Sequence, residues 1–424
     1  MNKRRILIIS HNPINRFDNM GRTIGNIFSK FKPEELCQLY FKEQLVSSDN
    51  CTNFFCIDDV SVVKSIFNRF YKTGKITENN FCIDKGNSLS NSIFEYGRKK
   101  SGLVYILRDF LWKIGKWNTK ELNDWISENE VTSIFLFVGD YIFPINIALK
   151  LSKKYKVPVY IYFVDEYYRK NIGKKSILSM IHKMLYRRKI KKIVNFSKEY
   201  FCISEEMQNF YEKVFKKNGN VLMNTTDFLN FKKENKSIIN NKKMVITYIG
   251  GLGYNRWKSI IDIAEVISNN ALEDKIEFKI YSKETNQAVV NKLKSTKGLM
   301  YMGELDPQDI FEKIVQSDVL LHTESFERLD MEKIKYSVST KIPDYLASGK
   351  LLLVYGSPKL ASISYILKND AGVVIKEKNE ILNVLTSLLN NEIDINKRIA
   401  NAKKLVKINH KNDAIYDKLN KILE

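Results

Sequence analysis

Twice along the chain, short apolar runs alternate with amphipathic segments of helical length, and that repeated alternation leaves few folds open. In the first series, residues 5–10, 54–57, 133–138, 159–164, 200–203 and 221–223 read as strands, with helices over 119–129 and 144–155 and one ending near Phe31. In the second, strands at 244–249, 277–281, 299–302, 319–322, 351–354 and 372–375 alternate with helices near 257–268, 285–294, 307–316, 342–348 and 358–368. Alternation of this kind predicts parallel pairing with right-handed crossovers. A chain of 424 residues is too long for one core, so each series is expected to form its own Rossmann-like α/β domain, the two facing each other across a cleft. The expected division is 1–225, a linker at 226–243 rich in Asn and Lys, a second domain at 244–395, and a helical tail at 396–424 that crosses back to the first.

Charge narrows the partners. The net charge of +21 calls for something anionic, such as nucleotide phosphates or lipid headgroups. Ten Lys or Arg lie within residues 169–192, including Arg169, Lys183, Arg187 and Lys192, interleaved with Ile177, Met180, Ile181 and Leu185. This composition suits a helix lying on an anionic membrane surface, although a solvated basic face on an ordinary core helix is the commoner explanation of such runs. No nucleic-acid-binding motif accompanies it, so nucleic acid is not an expected partner. The longest apolar window, 131–151, is broken by Gly139, Asp140 and Pro144, and the basic N-terminus leads into too short an apolar run for a signal peptide. Five cysteines without a C-x-x-C pair (Cys37, Cys51, Cys56, Cys82 and Cys202) fit a reducing compartment. The expected location is the cytoplasm, at the inner face of the membrane.

Two stretches suit phosphate chemistry. After the strand at 244–249 come Gly250, Gly251, Leu252, Gly253, Tyr254, Asn255, Arg256, Trp257 and Lys258. Glycines let a backbone approach a phosphate, and Arg256 and Lys258 can neutralise it. Further on, Ser339 and Thr340 stand where a helix is capped, Lys341 and Asp344 lie in or beside its first turn, and Gly349 closes it. Alone, each stretch also reads as an ordinary αβ connection. In the first series, Asp165 and Glu166 follow the strand at 159–164, at the sheet edge where ligands bind, and read equally as a helix cap. His11, in the first loop, is a candidate acceptor base.

The I-L-I-I-S opening, C-I-S-E-E-M from Cys202, V-L-M-N ending at Asn224, Y-I-G-G-L-G-Y-N-R-W-K from Tyr248 and S-T-K-I-P-D-Y-L-A-S-G-K from Ser339 together resemble the GT-B glycosyltransferases. The similarity is to the large retaining family that builds bacterial surface polysaccharides from nucleotide sugars. It covers most of the chain, most strongly 200–375. The resemblance implies a C-terminal domain that holds a nucleoside diphosphate sugar as donor substrate, with no cofactor or metal, and no D-x-D motif is present. It places the diphosphate-binding cation on Arg256, with Lys258 second, and puts Gly251 where the family usually has an arginine. Phosphate-contacting amides fall on Ser339 and Thr340, and the ribose-binding carboxylate on Asp344. The family's donor-sugar glutamate falls on Tyr336, leaving Glu324, Glu327 or Glu332 to substitute. The first domain then takes a glycan or polyprenyl-linked acceptor, with His11, Asp165 and Glu166 as catalytic candidates. Two alternatives stay open: a GT-B nucleotide-sugar epimerase, which isomerises without acceptor, and an inactive GT-B subunit, which turns nothing over.

Overall fold

The computed structural model describes residues 4–15, 18–68, 70–79, 102–169, 176–226 and 243–423. The chain divides into two compact units, one of Met1–Met223 with Ile415–Glu424 and one of Asn224–Ala414. All but the ends of the expected linker, together with Lys170, Lys174, Lys175 and Cys82, fall outside the described residues.

In the first unit, strands β1 (Ile6–Ser10), β2 (Leu36–Tyr40), β3 (Asn53–Cys56), β4 (Lys75–Thr77), β5 (Ser133–Val138), β6 (Val159–Phe163), β7 (Glu199–Cys202) and β8 (Asn220–Val221) form one sheet in the order 4-3-2-1-5-6-7-8. All pairs are parallel except β3 with β4. Helices α1 (Asn19–Ile27), α2 (Asp59–Phe67), α3 (Gly102–Ile114), α4 (Lys120–Glu128), α5 (Phe143–Tyr155), α6 (Ile177–Phe196) and α7 (Glu205–Phe215) connect the strands. Strand order reverses between β1 and β5, which makes the loops after these two strands the expected ligand edge.

The sequence pattern missed β2 because Gln38 interrupts its apolar run. The structure gives that buried amide a purpose. Its Oε1 accepts the Ile14 N–H at 2.9 Å, and its Nε2 donates to Ser10 Oγ at 2.8 Å and the Asn12 carbonyl at 3.2 Å. A satisfied polar group in the core thereby fixes the loop that carries His11.

The second unit holds β9 (Met244–Ile249), β10 (Ile276–Tyr281), β11 (Met300–Gly303), β12 (Val319–Thr323), β13 (Leu351–Tyr355) and β14 (Val373–Ile375), ordered 11-10-9-12-13-14 and parallel throughout. Its helices are α8 (Arg256–Asn269), α9 (Gln287–Ser295), α10 (Ile310–Gln316), α11 (Arg328–Ile334), α12 (Ile342–Ala347), α13 (Ala361–Lys368), α14 (Ile381–Leu389), α15 (Ile395–Leu405) and α16 (Asn412–Leu423), the last of which packs mostly with the first unit. The core beneath the sheet is aliphatic, with Ile246, Ile260, Ile263, Leu321, Leu353 and Ile381 fully buried. Here the order reverses between β9 and β12. Helices α11 and α14 were not anticipated: α11 is short and charged, and α14 follows the last expected strand.

Candidate functional site

At the second unit's switch point the loop after β9 is built around Gly250, whose φ is +144°. A Cβ there would sit 2.1 Å from Lys341 Nζ, so only glycine lets the lysine lie across the loop. A Cβ on Gly251 or Gly253 would meet nothing within 4 Å, so these two face open space. Tyr254 and Asn255 are both left-handed, at φ 57° and 54°, and turn the chain into α8. Such a pair without glycine must be held in place. Asn255 Nδ2 donates to Asp330 on α11 at 2.6 Å, and Tyr248 donates its hydroxyl to the Gly251 carbonyl at 2.7 Å. Tyr345 on α12 clasps both the N–H and the carbonyl of Ile249.

Arg256, the first residue of α8, donates from Nε to Glu324 Oε2 at 2.7 Å, with side chains 20% and 4% exposed. Glu324 directly follows β12. Burial raises its pKa, but His322 and Arg256 outweigh burial and hold the carboxyl below the usual range. His322 Nε2 lies 3.3 Å from Glu324 Oε1 without hydrogen-bond alignment, and neither ring nitrogen has a hydrogen-bond partner among the described residues. Burial lowers the His322 pKa, and the neighbouring Glu324 opposes that shift. Arg256 and Glu324 form the ion pair.

Lys341 is the cation left over. Its ammonium lies 4.4 Å above the Tyr248 ring and has no carboxylate partner among the described residues. Burial, reinforced by Arg256 and opposed by Glu324, pushes its pKa down to about 7. An arriving anion would reverse that shift. Lys258 instead reaches Glu327 at 2.7 Å, with both side chains about half exposed.

The stretch from Ser339 enters α12 differently from the capping pattern expected. The N-cap is Lys341, with no side-chain cap. The Ser339 N–H donates to Ser362 Oγ at 3.3 Å, and its own hydroxyl accepts from the Lys341 N–H at 3.4 Å. The Thr340 N–H has no protein partner among the described residues. Asp344 is buried, and its Oδ1 accepts from Thr226 Oγ1 at 2.7 Å, tying α12 to the start of the unit. Gly349, at φ +73°, closes the turn after α12.

In the first unit, His11 lies at the edge of the β1–β5 switch point. Its ring is 5.3 Å from that of Tyr141, and its Nδ1 is buried without a hydrogen-bond partner among the described residues. Burial, with Arg108 and Lys42 nearby, holds its pKa well below the ordinary value. Arg108 stacks on Tyr141 at 3.9 Å and pairs with Asp59 at 2.9 Å. Asp165 is exposed just past β6. Glu166 caps no helix: it accepts from the N–H groups of Tyr168 and Arg169 and from Arg169 Nε at 2.9 Å, closing a tight turn. Arg169 is thus engaged within its own loop.

The structure brings Gly250, Gly251, Arg256, Lys341 and Thr340 to one sheet edge and gives Asp344, Ser339 and Glu166 partners within the fold. Sequence reasoning missed Glu324 as the partner of Arg256, along with His322, Tyr248 and Arg108. For Glu324 a signal existed: it is the first residue after a strand at the reversal point. Among the described residues no group of His, Cys, Asp or Glu side chains is arranged to hold a metal ion, and no helix is long and apolar enough to cross a membrane.

No protein-family model matches the chain, and none of the curated proteins does. Solved structures do. The trehalose 6-phosphate synthase of Burkholderia multivorans matches at 8% identity over 99% of this chain and 98% of its own, with a TM-score of 0.61. Anabaena HepE in complex with UDP matches at 12% identity over 99% of both chains, also at 0.61. WaaG, a glycosyltransferase involved in lipopolysaccharide biosynthesis, matches at 11% identity over 98% of this chain and 99% of its own, at 0.59. Together they establish that this chain has the GT-B glycosyltransferase fold.

Proposed function

We propose that the protein is a glycosyltransferase that moves a sugar from a nucleoside diphosphate sugar to a glycan or lipid-linked acceptor in surface polysaccharide synthesis. The observation that carries this reading is Lys341: a buried ammonium without a carboxylate, beside Arg256 and over a loop whose glycines face open space. As the glycosyl bond breaks, negative charge gathers on the departing diphosphate, and fixed cations stabilise that state. Arg256 is oriented by Glu324, Lys341 gains its full charge as the anion arrives, and the Thr340 N–H adds a donor. Two side-chain cations supply the charge without a metal, so turnover is expected to survive chelation. The complex of HepE with UDP and the UDP-forming reaction of a similar trehalose-phosphate synthase support a nucleoside diphosphate donor.

We further assign the acceptor to the first unit, with His11 as base and Asp165 as a second catalytic candidate, and the reaction to retention of configuration. Its setting is the cytoplasmic face of the membrane. The test is a panel of nucleotide sugars, read by nucleoside diphosphate release with and without a polyprenyl-linked acceptor. One donor should turn over, with acceptor-dependent release. Failure of every donor to bind would overturn the reading, and isomerisation of the sugar without acceptor would replace it with an epimerase.

A further inference from the structure

Helices α3 and α6 of the first unit lie side by side and run the same way. A Cβ on Gly102 would clash with the backbone of Leu178 and Ser179, so the helices touch at their N-terminal ends. One turn on, Tyr105 stacks on His182 at 4.8 Å, and Asp109 lies 3.1 Å from His182 Nε2. Near the C-terminal ends, Lys113 and Lys192 crowd Lys189, whose pKa burial lowers and these two cations lower further.

What the pair turns outward changes along its length. Residues spaced 4, 3 and 4 apart share one face of a helix. On α6 that outward row reads Ile177, Ile181 and Met184, then Arg188 and Lys191. Ile177 is 76% exposed and Met180, on its flank, 62%. The buried side carries His182, Tyr186, Ile190 and Ile193 instead. On α3 the outward row is Leu103, Leu107, Phe110 and Ile114, each about half exposed, with Lys113 beside its end. The one acid on either helix, Asp109, is turned inward, where it accepts the N–H groups of Ile142 and Phe143 at 3.0 Å. No acidic residue pairs with Arg188, Lys191 or Lys192 among the described residues.

We propose that α3 and α6 form a two-helix wedge for an anionic membrane leaflet, in which the apolar row along α3 and the apolar N-terminal half of α6 enter the acyl region while Lys113, Arg188, Lys191 and Lys192 stay among the headgroups. Apolar surface of this extent on adjacent helices calls for a cover. The cations that follow it, with no outward acid, match a layer whose outer charge is negative and whose interior is hydrocarbon. The inference deepens the membrane setting of the proposed function and rests on that reading, although its observations all lie within the first unit.

Flotation of the full chain with vesicles of phosphatidylcholine, alone or mixed with phosphatidylglycerol, tests it. Binding should need phosphatidylglycerol and should weaken but persist at about 1 M salt, where the screening length is about 3 Å, because the apolar rows remain inserted. Phe110→Asp with Met184→Asp should cut binding about tenfold or more. Arg188→Glu with Lys191→Glu should cut it by about fivefold per residue or more. All four positions are exposed, and unchanged melting of each variant confirms that the fold is kept. Equal binding to both vesicle types, binding indifferent to both variants, or no binding at all would overturn the wedge. So would a dimer in solution that Met184→Asp dissociates, since a second copy would then be the cover. Nucleotide-sugar binding in vesicle-free solution, measured on the same variants, separates the two ideas: it stays intact if only the wedge fails, and is absent from the wild type if the catalytic reading fails.

Discussion

The two sheets reverse their strand order in the same way, yet the edges they present differ in chemistry. At the β9–β12 reversal an arginine is locked to a buried glutamate and a second cation, Lys341, is left without a counter-ion. At the β1–β5 reversal an arginine is also locked to an acid, Arg108 to Asp59, but its neighbours are Tyr141 and a neutral imidazole. The first arrangement is short of one anion. The second offers an aromatic surface and a proton acceptor, which suits a hydroxyl-bearing ring better than a phosphate. One topology therefore presents two chemically different edges through the few residues around its central strands.

The comparison can be broken most sharply at Arg256. Arg256→Ala should lower turnover about 100- to 1000-fold and, by stranding Glu324, cost about 3–5 kcal/mol of stability in denaturant titration. Adding Glu324→Ala should restore much of the stability and none of the turnover; recovery of both would make the pair structural. At the other edge, His11→Ala should reduce acceptor-dependent turnover by about 100-fold while donor affinity by calorimetry stays unchanged. A loss of donor affinity would place His11 on the wrong side of the comparison.

The pH dependence of donor binding should distinguish the edges more finely. Lys341 has a depressed pKa of about 7 when no ligand is bound, and a bound anion raises it. Above pH 7 the lysine is increasingly neutral and must take up a proton on binding, so affinity falls by up to about tenfold per pH unit. Below pH 7 it is already charged and affinity levels off. A nucleoside diphosphate sugar is the ligand to use, and Lys341→Met should flatten the profile; an unchanged slope would remove Lys341 from the site. The smallest effect is expected at Lys258, whose half-exposed pair with Glu327 is worth about 0–1 kcal/mol. Lys258→Ala should change donor affinity by about fivefold at most, and a larger loss would return it to the diphosphate.

Most strands of both sheets could be read from apolar runs alone, because a parallel strand covered on both faces has little choice of residue. The exceptions are instructive. Strand β2 was hidden by Gln38, whose polarity is satisfied only by a loop distant in sequence. The partner of Arg256 was hidden because the residues that meet at a reversal point come from strands far apart in the chain. Gly250 read as a glycine that lets the backbone approach a phosphate, and spacing alone gave no sign that Lys341 lies over it. The basic, amphipathic character of α6 was legible in its composition, but its pairing with α3 was not, since periodicity reports a face and not what lies beside it. Asp344 and Glu166 suited ligand roles by position, but the fold gives both carboxylates internal bonds.

The first unit is closed by residues from the far end of the chain. Tyr416 packs its ring against Phe31, Asn420 accepts from Arg4, and the Ile422 carbonyl accepts from Tyr160. During synthesis, therefore, the first unit waits for its last helix while the whole second unit is made, for about ten seconds or more at roughly 5–20 residues per second. The second unit, Asn224–Ala414, is continuous in the chain and can settle first. Order of translation and order of completion are thus reversed, and a chain lacking residues 415–424 would join a complete second unit to an open first one.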